Sequence, residues 1–78
     1  MKKYFVETRI NYTANYDGSI YNDTESFTFI VEAKSKVSAR QLSGKLTKDS
    51  LMSLTGDIDE ILSIKVIDLY ETTEDARL

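Results

Sequence analysis

Residues 3–15 alternate in polarity, and this period of two constrains the fold more than any other feature of the sequence. One set of alternate positions is mostly apolar and consists of Tyr4, Val6, Thr8, Ile10 and Tyr12. Such alternation is typical of a strand that is buried on one face. Asp17-Gly18 follows, and this dipeptide is a strong signal for a two-residue hairpin turn. The sequence therefore predicts an antiparallel hairpin of residues 3–15 and 20–33, with a bulge or fraying at residues 22–24.

The spacing of apolar residues changes to a helical one after residue 33. The predicted apolar stripe consists of Val37, Ala39, Leu42 and Leu46. Ser35 or Ser38 can cap the start of this helix, and Gly44 either weakens it or ends it. A further helical turn follows around Leu51, and Gly56 is a candidate stop signal.

Residues 60–71 form the last predicted strand, and both of its faces are partly apolar. The order is then β-β-α-β, and the helix lets the third strand lie beside the first. We therefore expect an α+β fold, with a three-stranded sheet in the order 2-1-3 packed on one helical region. Residues 1–71 form a single domain in this prediction, and residues 72–78 form a polar tail. The candidates for the uncovered sheet face are Phe5, Leu62, Ile64, Val66 and Tyr70, either as ordinary surface or as a partner surface.

The chain has 78 residues and neither Cys nor His, so disulfides and thiolate or imidazole metal sites are excluded. A domain of this size buries only about 60% of its unfolded surface and is marginally stable alone. Nature usually supports such domains with a disulfide, a metal or a partner subunit. We therefore expect a homodimer, with no metal and no cofactor.

The sequence contains no membrane or export signal that we can identify. Lys2 and Lys3 imitate the start of a signal peptide, but the apolar run that follows ends at Glu7. No apolar stretch approaches the length of about 18–20 residues that a membrane helix needs. We therefore expect no membrane contact and a cytoplasmic location.

The search for catalytic chemistry yields no candidate residue. Asp57, Asp59 and Glu60 lie close together, but the spacing and central Gly of an EF-hand loop are missing. Neither a phosphate-binding loop nor a dinucleotide fingerprint nor a nucleophile elbow is present. We therefore predict that the protein is not an enzyme and has no catalytic residues.

Charge carries the functional signal, because acids and bases are segregated along the chain. Residues 34–48 contain only basic charged residues, namely Lys34, Lys36, Arg40, Lys45 and Lys48. The region after residue 49 is mainly acidic. The predicted partner-binding residues there are Asp57, Asp59, Glu60, Asp68, Glu71, Glu74 and Asp75.

Segregated charge can steer a partner, and three interpretations stay open. The acidic surface binds another protein, in one form as a mimic of DNA phosphates; the basic helix binds nucleic acid; or both are solvated faces of an accessory protein without separable activity. A pI near 4.8 and the lack of aromatic residues between Phe29 and Tyr70 argue against nucleic acid.

The sequence resembles the small early proteins of bacteriophages that infect Gram-positive bacteria, such as the host-takeover gene products of large Bacillus phages. The features that carry this resemblance are the short length, the opening Met1-Lys2-Lys3-Tyr4-Phe5-Val6-Glu7-Thr8, the lack of Cys, His, Trp and Pro, and the acidic end Asp68-Leu69-Tyr70-Glu71-Thr72-Thr73-Glu74-Asp75. The resemblance implies a stoichiometric inhibitor of a host protein in the host cytoplasm. Proteins of that kind include nucleic-acid mimics and binders of polymerase, nucleoid proteins or proteases.

Overall fold

The computed structural model describes residues 1–73, which form a three-stranded antiparallel sheet with one helix on one face. The elements are β1 (Lys2–Tyr16), β2 (Ser19–Ala33), α1 (Lys36–Leu54) and β3 (Ile58–Glu71). The strand order is β2-β1-β3, so β1 is the central strand and is antiparallel to both neighbours. The predicted α+β architecture and strand order are confirmed. The molecule measures 45 × 22 × 14 Å, and the strands set its long axis.

The hairpin of β1 and β2 is regular over its whole length. Asp17 and Gly18 have φ values of 55° and 85°, as a tight two-residue turn of this hand requires. The Asn15 side-chain oxygen accepts a hydrogen bond from the Gly18 N–H at 3.0 Å. The register then runs without a shift to the pair Lys2–Ala33. The irregularity predicted at residues 22–24 was therefore wrong, because continuous pairing with β1 overrides the turn preference of Asn and Asp.

Helix α1 is continuous, and Gly44 neither breaks nor ends it. Of the two predicted caps it is Ser35 that caps the start, because its hydroxyl accepts a hydrogen bond from the Ser38 N–H at 3.2 Å. The helix ends at Thr55, whose N–H donates to the Leu51 carbonyl at 3.0 Å.

The buried face of α1 differs from the predicted stripe. The residues of the helix that are fully buried recur every four positions and are Ala39, Ser43, Thr47 and Leu51. Val37 is 66% exposed and Leu42 is 38% exposed, so their prediction as core residues was wrong. The hydroxyls of Ser43 and Thr47 donate to the carbonyls four residues earlier, each at 2.7 Å. These two polar residues are therefore satisfied within the helix, and their small size lets the helix approach the sheet closely.

A buried hydrogen bond joins the centre of the helix to the centre of the sheet. The hydroxyl oxygens of Thr8 and Thr47 are 2.6 Å apart, and neither residue is exposed. Thr47 has a single hydroxyl proton, which it gives to the Ser43 carbonyl. Thr8 is therefore the donor in this pair, and Thr47 is its only acceptor among the hydrogen bonds found in residues 1–73.

Strand β3 does not follow a strict alternation, because its pairing with β1 shifts register three times. The apolar residues that pair with the buried positions of β1 are Ile58, Ile61, Ile64, Val66 and Leu69, while the buried Tyr4 pairs with Glu71. The apolar residues pack on the two buried clusters beneath the helix. Ile64 and Val66 thus face α1, and their prediction on the uncovered face was wrong. Phe5 and Tyr70 do lie on that face, with stacked rings 5.0 Å apart, and Leu62 is exposed.

The predicted C-terminal tail falls only partly within the described residues. Thr72 follows β3 and its N–H donates to the Lys3 carbonyl at 2.9 Å. Residues 74–78 lie outside the described part of the chain. Over residues 1–73, no helix combines the length and the apolar character that spanning a membrane requires.

We expect Gly44→Ala to stabilise the protein by about 0.5–1 kcal/mol, because alanine loses less backbone entropy in a helix. The added Cβ would meet no atom within 4 Å. Gly18→Ala is the matched control and should destabilise, since Gly18 has a φ of 85°. Urea unfolding of both variants measures the difference. A destabilised Gly44→Ala variant would contradict a continuous helix.

We expect Thr47→Val to destabilise the protein by about 1–3 kcal/mol, because it leaves the buried Thr8 hydroxyl without an acceptor. Thr8→Val should lower the free energy of unfolding by less, since Thr47 still donates to the Ser43 carbonyl. The double variant should cost less than the sum of the two single variants, and urea unfolding of all four proteins measures this coupling. Additive losses would show that the two hydroxyls do not interact.

Candidate functional site

The charged side chains divide the molecule into two halves along its long axis. The dividing line is the row in which Ile10 pairs with Glu25 on one side and with Ile64 on the other. Helix α1 crosses this row between Thr47, which contacts Thr8, and Leu51, which packs beside Ile10.

The half nearer the hairpin turn carries only negative side-chain charge. It consists of residues 10–25 and 49–64 and contains no Lys or Arg. Its seven carboxylates are Asp17, Asp23, Glu25, Asp49, Asp57, Asp59 and Glu60. We call this part of the molecule the acidic half.

The opposite half carries a net positive side-chain charge. It consists of residues 1–9, 26–48 and 65–73 of the described chain. Its nine bases are Lys2, Lys3, Arg9, Lys34, Lys36, Arg40, Lys45, Lys48 and Lys65. Its four acids are Glu7, Glu32, Asp68 and Glu71. We call this part the basic half, and it differs from the acidic half in being mixed.

The helix dipole reinforces this separation of charge. Helix α1 starts in the basic half and ends in the acidic half, so its positive N-terminus lies with the bases. The first turn contains no acid and the last turn contains no base. Lys36 and Arg40 lie near the start instead, and Asp57 follows the end. This arrangement of charges is the reverse of the one that stabilises a helix. It makes the electrostatic potential more positive at the basic end of the molecule and more negative at the acidic end.

Three of the predicted partner-binding residues lie together in the acidic half. Asp57, Asp59 and Glu60 are exposed and occupy the start of β3 and the loop before it. The Asp57 carbonyl accepts a hydrogen bond from the Asn15 N–H at 2.8 Å, and the Asp59 carboxylate accepts one from the Thr13 hydroxyl at 3.3 Å. These contacts fix the loop beside the end of β1.

The other predicted residues do not join them. Asp68 and Glu71 lie at the far end of β3, in the basic half. A Glu71 carboxylate oxygen is 3.7 Å from the Lys2 Nζ, and Asp68 is opposite Glu7 on β1. Glu74 and Asp75 lie outside the described residues.

The sequence prediction missed four acids that the fold brings to this half, which are Asp17, Asp23, Glu25 and Asp49. The register of the hairpin could have predicted the positions of three of them, Asp17, Asp23 and Glu25. A turn at Asp17-Gly18 places residues 19–25 beside the end of β1, and β3 runs along the opposite side of that same end.

The acidic half also exposes large apolar side chains. They are Tyr16, Ile20, Tyr21, Met52, Leu54 and Leu62. The rings of Tyr16 and Tyr21 are 5.8 Å apart, on the face of the hairpin that α1 covers further along. Leu51 is the last buried residue of α1 and packs with residues up to Ala14, so the two tyrosines lie beyond the cover of the helix.

An open hollow of about 470 Å³ lies between the end of α1 and the start of β3. Met52, Ile58 and Ile61 give it an apolar lining. Asp59 and Glu60 are the acidic residues among those that line it. A second hollow of about 340 Å³ lies at the other end of the same helix, and its lining includes Lys36, Arg40 and Asp68.

Within residues 1–73, no three potential ligand side chains are grouped so as to hold a metal ion. No protein-family model matches the chain. Neither the curated proteins nor the solved structures contain a significant match to it.

The acidic half perturbs one buried tyrosine, Tyr12, whose hydroxyl donates to an Asp23 carboxylate oxygen at 3.4 Å. Burial, and then the charges of Asp23 and Glu25, raise the pKa of Tyr12 above its usual value of 10.0. The neutral hydroxyl is therefore favoured in the folded state, and this contribution to stability is lost as the pH rises through the raised pKa.

We expect Asp23→Asn to lower the pKa of Tyr12, because it removes one negative charge and leaves the burial unchanged. The pKa should stay above 10.0, since burial is the largest cause. An NMR titration of the Tyr12 ring measures it. Asp17→Asn is the control and should leave the pKa of Tyr12 unchanged. Equal pKa values in Asp23→Asn and the wild type would show that the carboxylate does not act on this ring.

Proposed function

We propose that the protein is a non-enzymatic binding module that engages a basic protein surface through its acidic half. The observation that carries this proposal is the absence of any Lys or Arg from residues 10–25 and 49–64, which hold seven carboxylates. A field of one sign accelerates the encounter with a partner of opposite charge.

The exposed aromatic residues of the same half can supply binding energy through apolar contacts, which charge alone does not provide. Binding energy in protein interfaces is concentrated in a few large side chains, and tyrosine is among the most frequent. Tyr16 and Tyr21 form an exposed pair at the hairpin end, with acids on either side in Asp17 and Asp23. An apolar anchor surrounded by carboxylates suits a partner that presents apolar residues among lysines and arginines.

The hollow at the end of α1 fits the side chains of such a partner. Lys and Arg have long apolar stems and charged ends, and they bury the stem while the end meets water or a carboxylate. Met52, Ile58 and Ile61 provide an apolar wall for the stem. The exposed acidic residues Asp59 and Glu60 lie beside the hollow on β3 and attract the charged end.

The density of carboxylates in the acidic half is lower than the density of phosphates in DNA. A basic protein surface in general is therefore a better candidate partner than one that requires a close copy of DNA. The acidic half occupies about half of the 45 Å long axis. A DNA duplex of that length carries about 13 phosphate charges, because both strands together contribute one per 1.7 Å. Seven carboxylates reach roughly half of this density. A DNA-binding protein remains a suitable partner because its binding surface is basic.

The resemblance to phage host-takeover proteins makes a host protein the candidate partner and the host cytoplasm the proposed location. In this proposal the chain acts stoichiometrically, by occupying a basic surface that the host protein needs for another ligand.

We expect a triple charge reversal, Asp57→Lys, Asp59→Lys and Glu60→Lys, to abolish binding of the partner. The wild-type protein, immobilised and exposed to a lysate of a Gram-positive host, should retain one protein in stoichiometric amount and release it with salt. Mass spectrometry identifies that protein, and calorimetry with the purified pair then measures the affinity of each variant.

The matched control is Glu32→Lys, Asp68→Lys and Glu71→Lys, which changes the net charge equally but alters the basic half. It should keep the wild-type affinity within a few-fold. Equal loss in both variants would show that only net charge matters and would refute a site in the acidic half. Salt-sensitive binding of labelled DNA or RNA that is lost in Lys36→Glu and Arg40→Glu would instead support the nucleic-acid interpretation.

A further inference from the structure

The two edges of the sheet differ in how they are protected against pairing with another strand. Among the described residues, β2 and β3 each have a neighbouring strand on one side only. Natural proteins block exposed edges with bulges, prolines, inward charges or lysines. Strand β3 has three register shifts and contains Lys65. Strand β2 extends for 15 residues without a register shift, and it contains neither Pro nor Lys.

The free hydrogen-bonding groups of β2 are those of its even-numbered residues. In a two-residue hairpin the pair that flanks the turn, Tyr16 and Ser19, is hydrogen bonded, and such pairs then alternate along the ladder. The N–H of Thr24 is already taken by the Asp23 carboxylate at 2.9 Å. The regular stretch of outward-pointing groups therefore runs from Ser26 through Thr28 and Ile30.

Two phenylalanines lie at this edge with part of their surface uncovered. Phe27 and Phe29 are half-buried, with stacked rings 6.3 Å apart, on the face that carries α1. They pack against different buried clusters, one on each side of the dividing row. Leu42 of α1 is also partly exposed.

We propose that two copies of the chain pair through β2, antiparallel and in the register that places Thr28 opposite Thr28 of the second copy. The two-fold axis passes between these two threonines, and the product is a continuous six-stranded sheet. Residues 23–33 overlap in this register. Phe27 then lies opposite Phe29 of the second copy, and the reverse pair forms by symmetry.

The side chains that come together favour this register over the two adjacent ones, in which the two-fold axis passes beside Ser26 or Ile30. An axis at Ser26 would place Glu25 opposite Phe27 of the second copy and would set a carboxylate against an aromatic ring. An axis at Ile30 would shorten the overlap to residues 27–33. The axis at Thr28 gives four phenylalanines in contact on one face and a cross-strand Thr–Thr pair on the other, and both kinds of pair are favourable in sheets.

The spacing of the two helices agrees with the same arrangement. Helix α1 lies over the central strand, so the two helices of the dimer are separated by three strand spacings, or about 14 Å. Packed helices are 8–10 Å apart, so a gap is left on this face. The rings of Phe27 and Phe29 from both copies lie in that gap, with Leu42 on its walls.

Charge complementarity supports the antiparallel direction. The acidic half carries seven negative side chains and no positive ones, whereas the basic half has nine bases and four acids. Antiparallel pairing sets the acidic half of each copy beside the basic half of the other. Asp23 lies opposite Ala33 of the second copy in this register, next to Lys34.

The dimer covers residues 23–33 of β2, so Asp23 and Glu25 are the acids of the acidic half that lie within the overlap. Asp57, Asp59 and Glu60 lie on the β3 side and stay accessible, once at each end of the dimer. Loss of self-association and loss of partner binding are therefore separate outcomes.

We expect Thr28→Lys and Thr28→Glu to weaken self-association by at least about tenfold each, because like charges then face each other at the axis. An equimolar mixture of the two variants should recover the dimer as a mixed pair. Sedimentation velocity at micromolar to hundred-micromolar concentration measures the three samples and the wild type. Far-UV circular dichroism confirms that each variant is folded.

Leu62→Lys and Leu62→Glu provide the matched control, since Leu62 is an exposed residue of the other edge strand. Both should dimerise like the wild type. A monomeric wild type over this range overturns the proposal. So does a dimer that the Thr28 variants leave intact, or one that the Leu62 variants disrupt, since either places the interface elsewhere.

Discussion

The close approach of α1 to the central strand is the contact on which the rest of the molecule depends. In the described part of the chain one helix covers three strands, and most of the buried residues lie on α1 and on β1 beneath it. Small residues at Ala39, Ser43 and Thr47 make that approach possible. The hydroxyls of Ser43 and Thr47 would be costly in such a place, because a buried polar group without a partner loses about 1–3 kcal/mol. Hydrogen bonds to their own helix and to Thr8 remove that cost.

The same geometry decides where the charges fall. Because the helix must cross the sheet along β1, its two ends define the two ends of the molecule, and the turn at Asp17-Gly18 lies at its C-terminal end. Bases near its start and Asp57 after its end oppose the dipole, and each unfavourable charge costs about 0.3–1 kcal/mol at low ionic strength.

The sequence predicted the elements and their order because they depend on local signals. The alternation in β1, the Asp-Gly turn and the Ser35 cap each act within a few residues, and each was confirmed. The buried faces of α1 and β3 depend on tertiary contacts instead. Nothing local distinguishes Ser43 from a surface serine, and the three register shifts of β3 have no signal in its own sequence. The acids of the acidic half were therefore predicted to lie together only in part: Asp57, Asp59 and Glu60 were named, but Asp49 and the acids of the hairpin were not.

The interaction surfaces that we propose follow from one limitation of so small a fold. Within residues 1–73, three strands and one helix leave two sheet edges and one sheet face without cover. The uncovered face is polar over most of its length, with Phe5 and Tyr70 stacked on each other, so it can face water. The β3 edge is irregular and gives poor hydrogen-bonding geometry to an added strand. Strand β2 alone combines regular free backbone groups with uncovered aromatic rings, so a second copy there removes the exposed edge. The two acidic halves then point in opposite directions, each with its tyrosines and its hollow, and the dimer keeps both available for a partner.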